Sequence, residues 1–300
     1  MPDFARNISF ESPLMRGPDV LAAQRALRSL GNSGVVPDGL YGEQSAAAVR
    51  TFQENNGISP TGTVDQATWH KLFAVTQPVP PDRDIAKIVA RLKQPHQFRD
   101  SVTWCLGDDG IEIGGARAVG TPGQPTTVTG ILERFKVPIS DTCKRRNIPV
   151  ELIVATIAVE SSGNPAARRE EPGWTSDSAT PDKVSVGLMQ TLISTARGAM
   201  NDQTIDAGRL LDPATSIEAG AAYMESQFAA TGFDPPEVGC AYNAGGLYYN
   251  SSPTNRWRMR QYPIGTSDYL DKLIPFFNDC FSVLKANGAL TGGPTFAANS

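Results

Sequence analysis

The sequence predicts a mainly α protein in two units, a small three-helix bundle and a larger α-domain with a minor β-hairpin. Three observations lead there. Apolar residues recur at helical spacing along most of the chain. A proline-rich stretch, Gln77 to Pro81, divides it unequally and reads as a stiff linker. The chain has 300 residues, too many for one small core. The divisions predicted are 1–76 for the first unit (core 17–75), 77–126 for the linker and an irregular arm, 127–290 for the larger domain and 291–300 for a flexible tail.

In the first unit, Gly17-Pro18 opens a helix to about Leu30, with Val20, Leu21, Gln24 and Leu27 at helical spacing. Gly31 to Gly42 is a turn-rich loop. A second helix spans Glu43 to Asn56 on a stripe of Ala46, Val49 and Phe52. Asp65 caps a third, which carries Trp69, Leu72 and Phe73. Beyond the linker, 84–94 reads as a short helix and 111–119 as a small hairpin. Ile131, Leu132, Phe135, Ile139 and Cys143 form one helical stripe. The polar run from Asn164 to Gly187 is expected to be a long loop or hairpin lining a cleft. Helices then follow through Ala199, from Asp212-Pro213 to Ala230, and from Asp234-Pro235 to Ala244. A last one, capped by Ser267, has Pro275 inside it, where a kink costs ~3 kcal/mol unless the fold uses it.

Bulk properties narrow the function classes. Net charge is −4, with no basic excess to suggest nucleic acid as a partner. No apolar run is long enough to span a membrane, so no integral membrane segment is expected. The first residues lack the apolar region of a secretory signal peptide. Cys105, Cys143, Cys240 and Cys280 include no C-x-x-C pair. They allow about three disulfide pairings or none; Cys240 and Cys280, both on predicted helices of the C-terminal half, could meet, and buried free thiols are the plain alternative. The two histidines, His70 and His96, lie far apart, which argues against a zinc hydrolase and against a nucleophile–histidine site. No metal and no cofactor are expected, and the chain is expected to be a monomer.

The stretch that organises the rest is Ile148 to Gly163. Pro149 suits the start of a helix. Leu152, Ile153, Val154, Ile157 and Val159 then cover every side of it, which marks a helix inside a protein. Glu160 stands at its C-terminal end, before Ser161, Ser162 and Gly163. Apolar neighbours and the negative end of the helix dipole both disfavour ionisation, so its pKa is expected to be raised. A general acid needs that to hold its proton near neutral pH. A surface glutamate at a frayed helix end is the plain alternative.

Two resemblances sharpen this reading. V-L-A-A-Q-R-A-L at 20–27, D-G-L-Y-G at 38–42, A-V-R-T-F-Q at 48–53, N-G-I at 56–58 and T-W-H-K-L at 68–72 resemble the peptidoglycan-binding type 1 domain. Such modules hold the wall polymer without cutting it. Most matched residues are scaffold, and Asp38, Tyr41 and Gln44 are candidates for a ligand groove. The larger domain resembles the lysozyme-like transglycosylases, relatives of soluble lytic transglycosylases and goose-type lysozymes. The match rests on A-V-E-S-S-G-N-P at 158–165, G-L-M-Q at 187–190, A-Y-N-A-G at 241–245 and S-D-Y-L-D-K-L at 267–273. It implies that Glu160 is the catalytic acid and that Ser161, Met189, Gln190, Tyr242, Asn243 and Tyr269 line the sugar cleft. Core packing for Met189 and backbone capping for Gln190 and Asn243 are the structural alternatives.

The implied activity is cleavage of the MurNAc–GlcNAc β-1,4 bond of bacterial peptidoglycan, by lytic transglycosylation or by hydrolysis. The carboxylic acid protonates the leaving oxygen, and the acetamido oxygen can meet the positive charge at the anomeric carbon. Hydrolysis needs a held water. The aspartate that goose-type lysozymes carry just after G-L-M-Q is missing here, where Thr191-Leu192-Ile193 stand. Asp177 and Asp182 remain as candidate second carboxylates. The two resemblances together imply a modular phage endolysin, made in the host cytoplasm and reaching the wall through a separate holin pore. A non-catalytic wall-binding or virion structural protein of the same fold is the alternative from another class.

Overall fold

A computed structural model describes residues 4–29, 35–76, 83–287 and 292–300. The linker at Gln77–Pro81 and the start of the Gly31–Gly42 loop lie outside the described residues. The chain separates into two compact units, Met1–Asp82 and Arg83–Ser300.

The first unit holds α1 (Pro18–Ser29), α2 (Glu43–Asn55) and α3 (Gln66–Thr76) around Val20, Leu27, Val49, Phe52, Trp69 and Leu72. Two buried glutamines tie its turns. Gln24 accepts from Gly39 N and donates toward Asp38, Leu40 O and Ser45. Gln53 accepts from Gly62 N and donates toward Thr61, Thr63 O and Thr68. The same device, a buried amide closing a glycine turn, thus occurs twice. Such groups are kept inside only because they are bonded. Tyr41, a sequence candidate for wall contact, is fully buried and donates to Gly62 O at 2.8 Å, so it belongs to the core. Asp38 accepts from Leu40 N and Gln24 and closes its own turn. Gln44 is exposed on α2.

The second unit opens with α4 (Ile85–Leu92), β1 (Trp104–Gly107) and β2 (Gly110–Ile113). The hairpin therefore lies at 104–113 and not at 111–119. Gly114 and Gly115, which the sequence reading put inside it, have positive φ and end it. Then come α5 (Thr126–Arg134), α6 (Lys136–Arg146) and α7 (Val150–Ser161). The single stripe expected over 131–143 is thus two helices, broken at Phe135. Pro138 sits in the first turn of α6, where its missing N–H is harmless. The chain continues through β3 (Arg168–Glu170), β4 (Val184–Val186), β5 (Thr191–Leu192), α8 (Ile193–Met200) and α9 (Ala207–Leu210). It ends with α10 (Pro213–Ser226), α11 (Phe228–Thr231), α12 (Pro235–Ala244) and α13 (Asp268–Asn287). Strands β3, β4 and β5 form one antiparallel sheet in that order.

Helix α7 is the axis of this unit. It packs against α5, α6, α10, α12 and α13, and Val150 through Ala158 are all buried. Helix α13 stays helical through Pro275.

Residues 83–113, expected to be linker and arm, belong to this unit. Arg83 is buried, its guanidinium over the rings of Phe228 and Phe233, and donates to Arg146 O and Glu225. Asp234 accepts from Trp104 Nε1 at 3.0 Å and pairs with His96 Nε2 at 2.5 Å.

The C-terminal residues depart from expectation. Residues 292–300 are packed and not a loose tail. Phe296 is fully buried, with its ring centroid 5.8 Å from that of Phe277. Val150 N donates to Pro294 O, and Ala297 N donates to the buried carboxylate of Glu151. A Gly- and Ala-rich sequence conceals this, because one aromatic side chain supplies the anchor. All four cysteines are free thiols.

Candidate active site

The end of α7 sets the site. Ser162 caps the helix in the left-handed region, and Gly163 follows at φ 78°. A Cβ on Gly163 would stand 2.9 Å from Ile131 Cγ1, so the turn fits only glycine closely. This turn leaves Glu160 half-buried at the floor of a cleft of about 580 Å³. Burial pushes its carboxyl pKa up to about 7, partly opposed by the Tyr269 hydroxyl and the Arg169 charge. Tyr269 Oη donates to Glu160 Oε1 at 2.7 Å. Burial and the facing carboxylate hold the Tyr269 pKa well above its usual range, so it stays a donor.

The G-L-M-Q segment forms the adjoining turn. Gly187 has φ 79°, and a Cβ there would lie 2.0 Å from Leu210 O, an impossible approach. Met189 is fully buried against Gly220, and its N–H donates to Ser216 Oγ. It is a core residue and not part of the cleft lining. Ser161 does not line the cleft either. Its hydroxyl donates to Leu188 O at 2.8 Å and ties α7 to this turn. Gln190 does line the cleft, but its amide is occupied by the protein. Nε2 donates to Ala167 O and Gly187 O, and Oε1 accepts from Ser185.

From α12, Tyr242 and Asn243 reach the same cleft. Tyr242 Oη donates to Met189 O at 2.7 Å, and burial raises its pKa. Asn243 Oδ1 accepts from Tyr262 N and so positions the loop that brings Tyr262 to the rim. Tyr223 of α10 packs at 5.5 Å from Tyr242 and completes an aromatic wall.

The opposite wall is the β3–β4 hairpin. Arg169, Glu171, Lys183 and Ser185 all line the cleft. Sequence reading did not single them out. Strand alternation explains their common face: Arg169 pairs with Ser185 across the ladder, and Glu171 N donates to Lys183 O. Val184 and Val186 point the other way and are fully buried.

The two aspartates separate. Asp182 lines the cleft, exposed. Asp177 does not. It is held by both Nη groups of Arg168 and by Trp174 Nε1, and the Arg168 guanidinium keeps its pKa low. Thr191, standing where a lysozyme-type aspartate was sought, is buried beside Tyr242 Oη at 3.2 Å. Among the described residues no group of side chains could hold a metal ion, and no helix is long and apolar enough to cross a membrane.

A half-buried carboxylic acid with a raised pKa, held by a phenol in a cleft between aromatic and charged walls, suits acid–base chemistry on a sugar. Residues 16–72 match the family model of a putative peptidoglycan binding domain, and residues 138–261 match that of the transglycosylase SLT domain. No curated protein matches the chain. Among solved structures, the crystal structure of Burkholderia AP3 phage endolysin is 14% identical over 91% of this chain and 97% of that one. Its TM-score is 0.23. The chain joins a segment that matches a peptidoglycan-binding domain to one that matches a transglycosylase SLT domain, and is a peptidoglycan-degrading glycosidase of the lytic transglycosylase or lysozyme type.

Proposed function

We propose that Glu160 cleaves the MurNAc–GlcNAc β-1,4 bond by serving as acid and then as base. The protonated carboxyl gives its proton to the glycosidic oxygen as the bond to the anomeric carbon breaks. The acetamido oxygen of the same sugar meets the positive charge. Glu160, now ionised and steadied by the Tyr269 hydroxyl, takes the proton of the 6-hydroxyl as that oxygen attacks the anomeric carbon. The product is a 1,6-anhydro sugar.

The observation that carries this reading is the Glu160–Tyr269 pair at 2.7 Å in a cleft that also holds Tyr242 and Asn243. Transglycosylation is favoured over hydrolysis because the candidate second carboxylates are poor water holders. Glu171 is paired with Arg169, Asp182 is exposed, and Asp177 is bound to Arg168. Met189 and Ser161 support the cleft from behind, whereas Gln190, Tyr242, Asn243 and Tyr223 shape its surface. The chain acts as a monomer of endolysin type, reaching the wall through a pore that another protein supplies. The binding module raises its concentration there.

The test compares the wild type with Glu160→Gln on purified sacculi. The variant is expected to lose nearly all release of soluble fragments while still sedimenting with the wall. Mass spectrometry of wild-type products should show anhydro ends. Equal lysis by the variant rejects the role of Glu160, and reducing ends reject transglycosylation.

A further inference from the structure

The charged wall of the cleft has cations with bonding capacity to spare. Arg169 faces the cleft with its side chain 73% exposed, and its ion pair with Glu171 uses Nε, at 3.0 Å. Both Nη groups have no hydrogen-bond partner among the described residues. Lys183 stands just before the neighbouring strand β4, and its ammonium comes no nearer than 4.0 Å to the carboxylate of Asp182, beyond hydrogen-bond reach. The other face of the same strand is different. Arg168 there is consumed by Asp177 and Glu170. So one strand, R-R-E, carries two arginines with opposite fates, one locked into the protein and one turned to the cleft.

We infer that Arg169 and Lys183 bind a carboxylate of the peptide stem that hangs from the glycan, so that the enzyme selects peptide-bearing strands over bare ones. This rests on the reading of the cleft as the glycan site. Sugar rings suit the aromatic wall of Tyr223, Tyr242 and Tyr262, which has faces but no charge. The lactyl-linked peptide is the only part of the polymer that carries anionic groups, and the hairpin wall is where the cleft offers cations. A guanidinium fork with free Nη groups takes a carboxylate in two parallel hydrogen bonds, and a nearby ammonium adds a third. Glu171, held at Nε of the same guanidinium, sets a negative charge beside the place of the incoming carboxylate. It therefore opposes binding.

The test measures initial rates on two glycan preparations of equal length, one with stems and one stripped by an amidase and then amidated at the lactyl carboxylates that the amidase exposes, and reads the ratio of the rates. The wild type is expected to favour the peptide-bearing strands. The double variant Arg169→Gln/Lys183→Gln should lower that ratio about tenfold, as loss of a charge-assisted contact implies. Glu171→Gln should raise it, which no general loss of structure would do. Stems whose carboxylates are converted to amides should behave as stripped strands in the wild type. A ratio of one for the wild type, or a ratio that neither variant moves, overturns the assignment and leaves the glycan reading intact. Failure of the wild type to cut either preparation overturns both.

Discussion

Tyr269 reaches from α13 to α7, across 109 positions of sequence, to donate its hydroxyl to Glu160 Oε1 at 2.7 Å. The bond fixes one carboxylate oxygen and leaves Oε2 for the proton that is given and taken. It favours the ionised form, against the burial that favours the neutral one.

Replacing the tyrosine separates these two effects. In Tyr269→Phe the ionised form loses its donor, so the Glu160 pKa should rise above about 7. The alkaline limb of the pH–rate profile, where the acid is lost, should move to higher pH. The rate at the optimum should fall about tenfold, the worth of one hydrogen bond to a charge. A profile that keeps its alkaline limb in place would show that the phenol does not act on Glu160.

Gly187→Ala should damage the cleft without touching an acid or a sugar contact. The added methyl meets Leu210 O at 2.0 Å, in backbone at φ 79°. A loss of stability on the order of 3 kcal/mol is expected, read from the urea midpoint.

Glu151 is the second buried carboxyl of α7. It accepts from Ala297 N through Oε1, while Oε2 has no partner among the described residues. Burial raises its pKa from 4.5 to about 7. A raised carboxyl pKa lends stability that is full below 4.5 and is lost as pH climbs through about 7. The full swing is on the order of 3 kcal/mol. Thermal scans between pH 5 and 8 should therefore show a steeper fall for the wild type than for Glu151→Gln. Parallel curves would contradict the expectation.

Tyr41→Phe should cost about 1 kcal/mol, the hydrogen bond to Gly62 O, and leave sedimentation with sacculi as it was. A variant that folds as well as the wild type but no longer binds the wall would return Tyr41 to the ligand surface.

The helices were readable where one physical signal dominated. An all-round apolar run before a glycine turn announces α7 and its terminal carboxyl, and Asp-Pro pairs announce α10 and α12. The motifs found the cleft, but for mixed reasons. Gly187, Met189, Ser161 and the Gln190 amide are needed to build its floor, and only packing distinguishes that need from contact with a sugar. The polar run was legible as a loop or hairpin lining the cleft, but which of its residues face the cleft was not, because Arg169 and Glu171 sit among other charged and polar side chains. The one legible sign of that facing is the alternation of Lys183-Val184-Ser185-Val186, polar toward the cleft and apolar toward the core. Phe296 had no signal at all, since a lone aromatic in a Gly- and Ala-rich stretch has no periodicity to reveal it.

That residue has a practical meaning. The segment from Gly292 onward is a stopper seated beside the helix that bears the acid, with Phe296 filling the bore. Trimming it for convenience would leave an empty pocket of phenyl size and cost about 3–5 kcal/mol, so a chain shortened to 291 should melt early and lose its lytic power together with its fold.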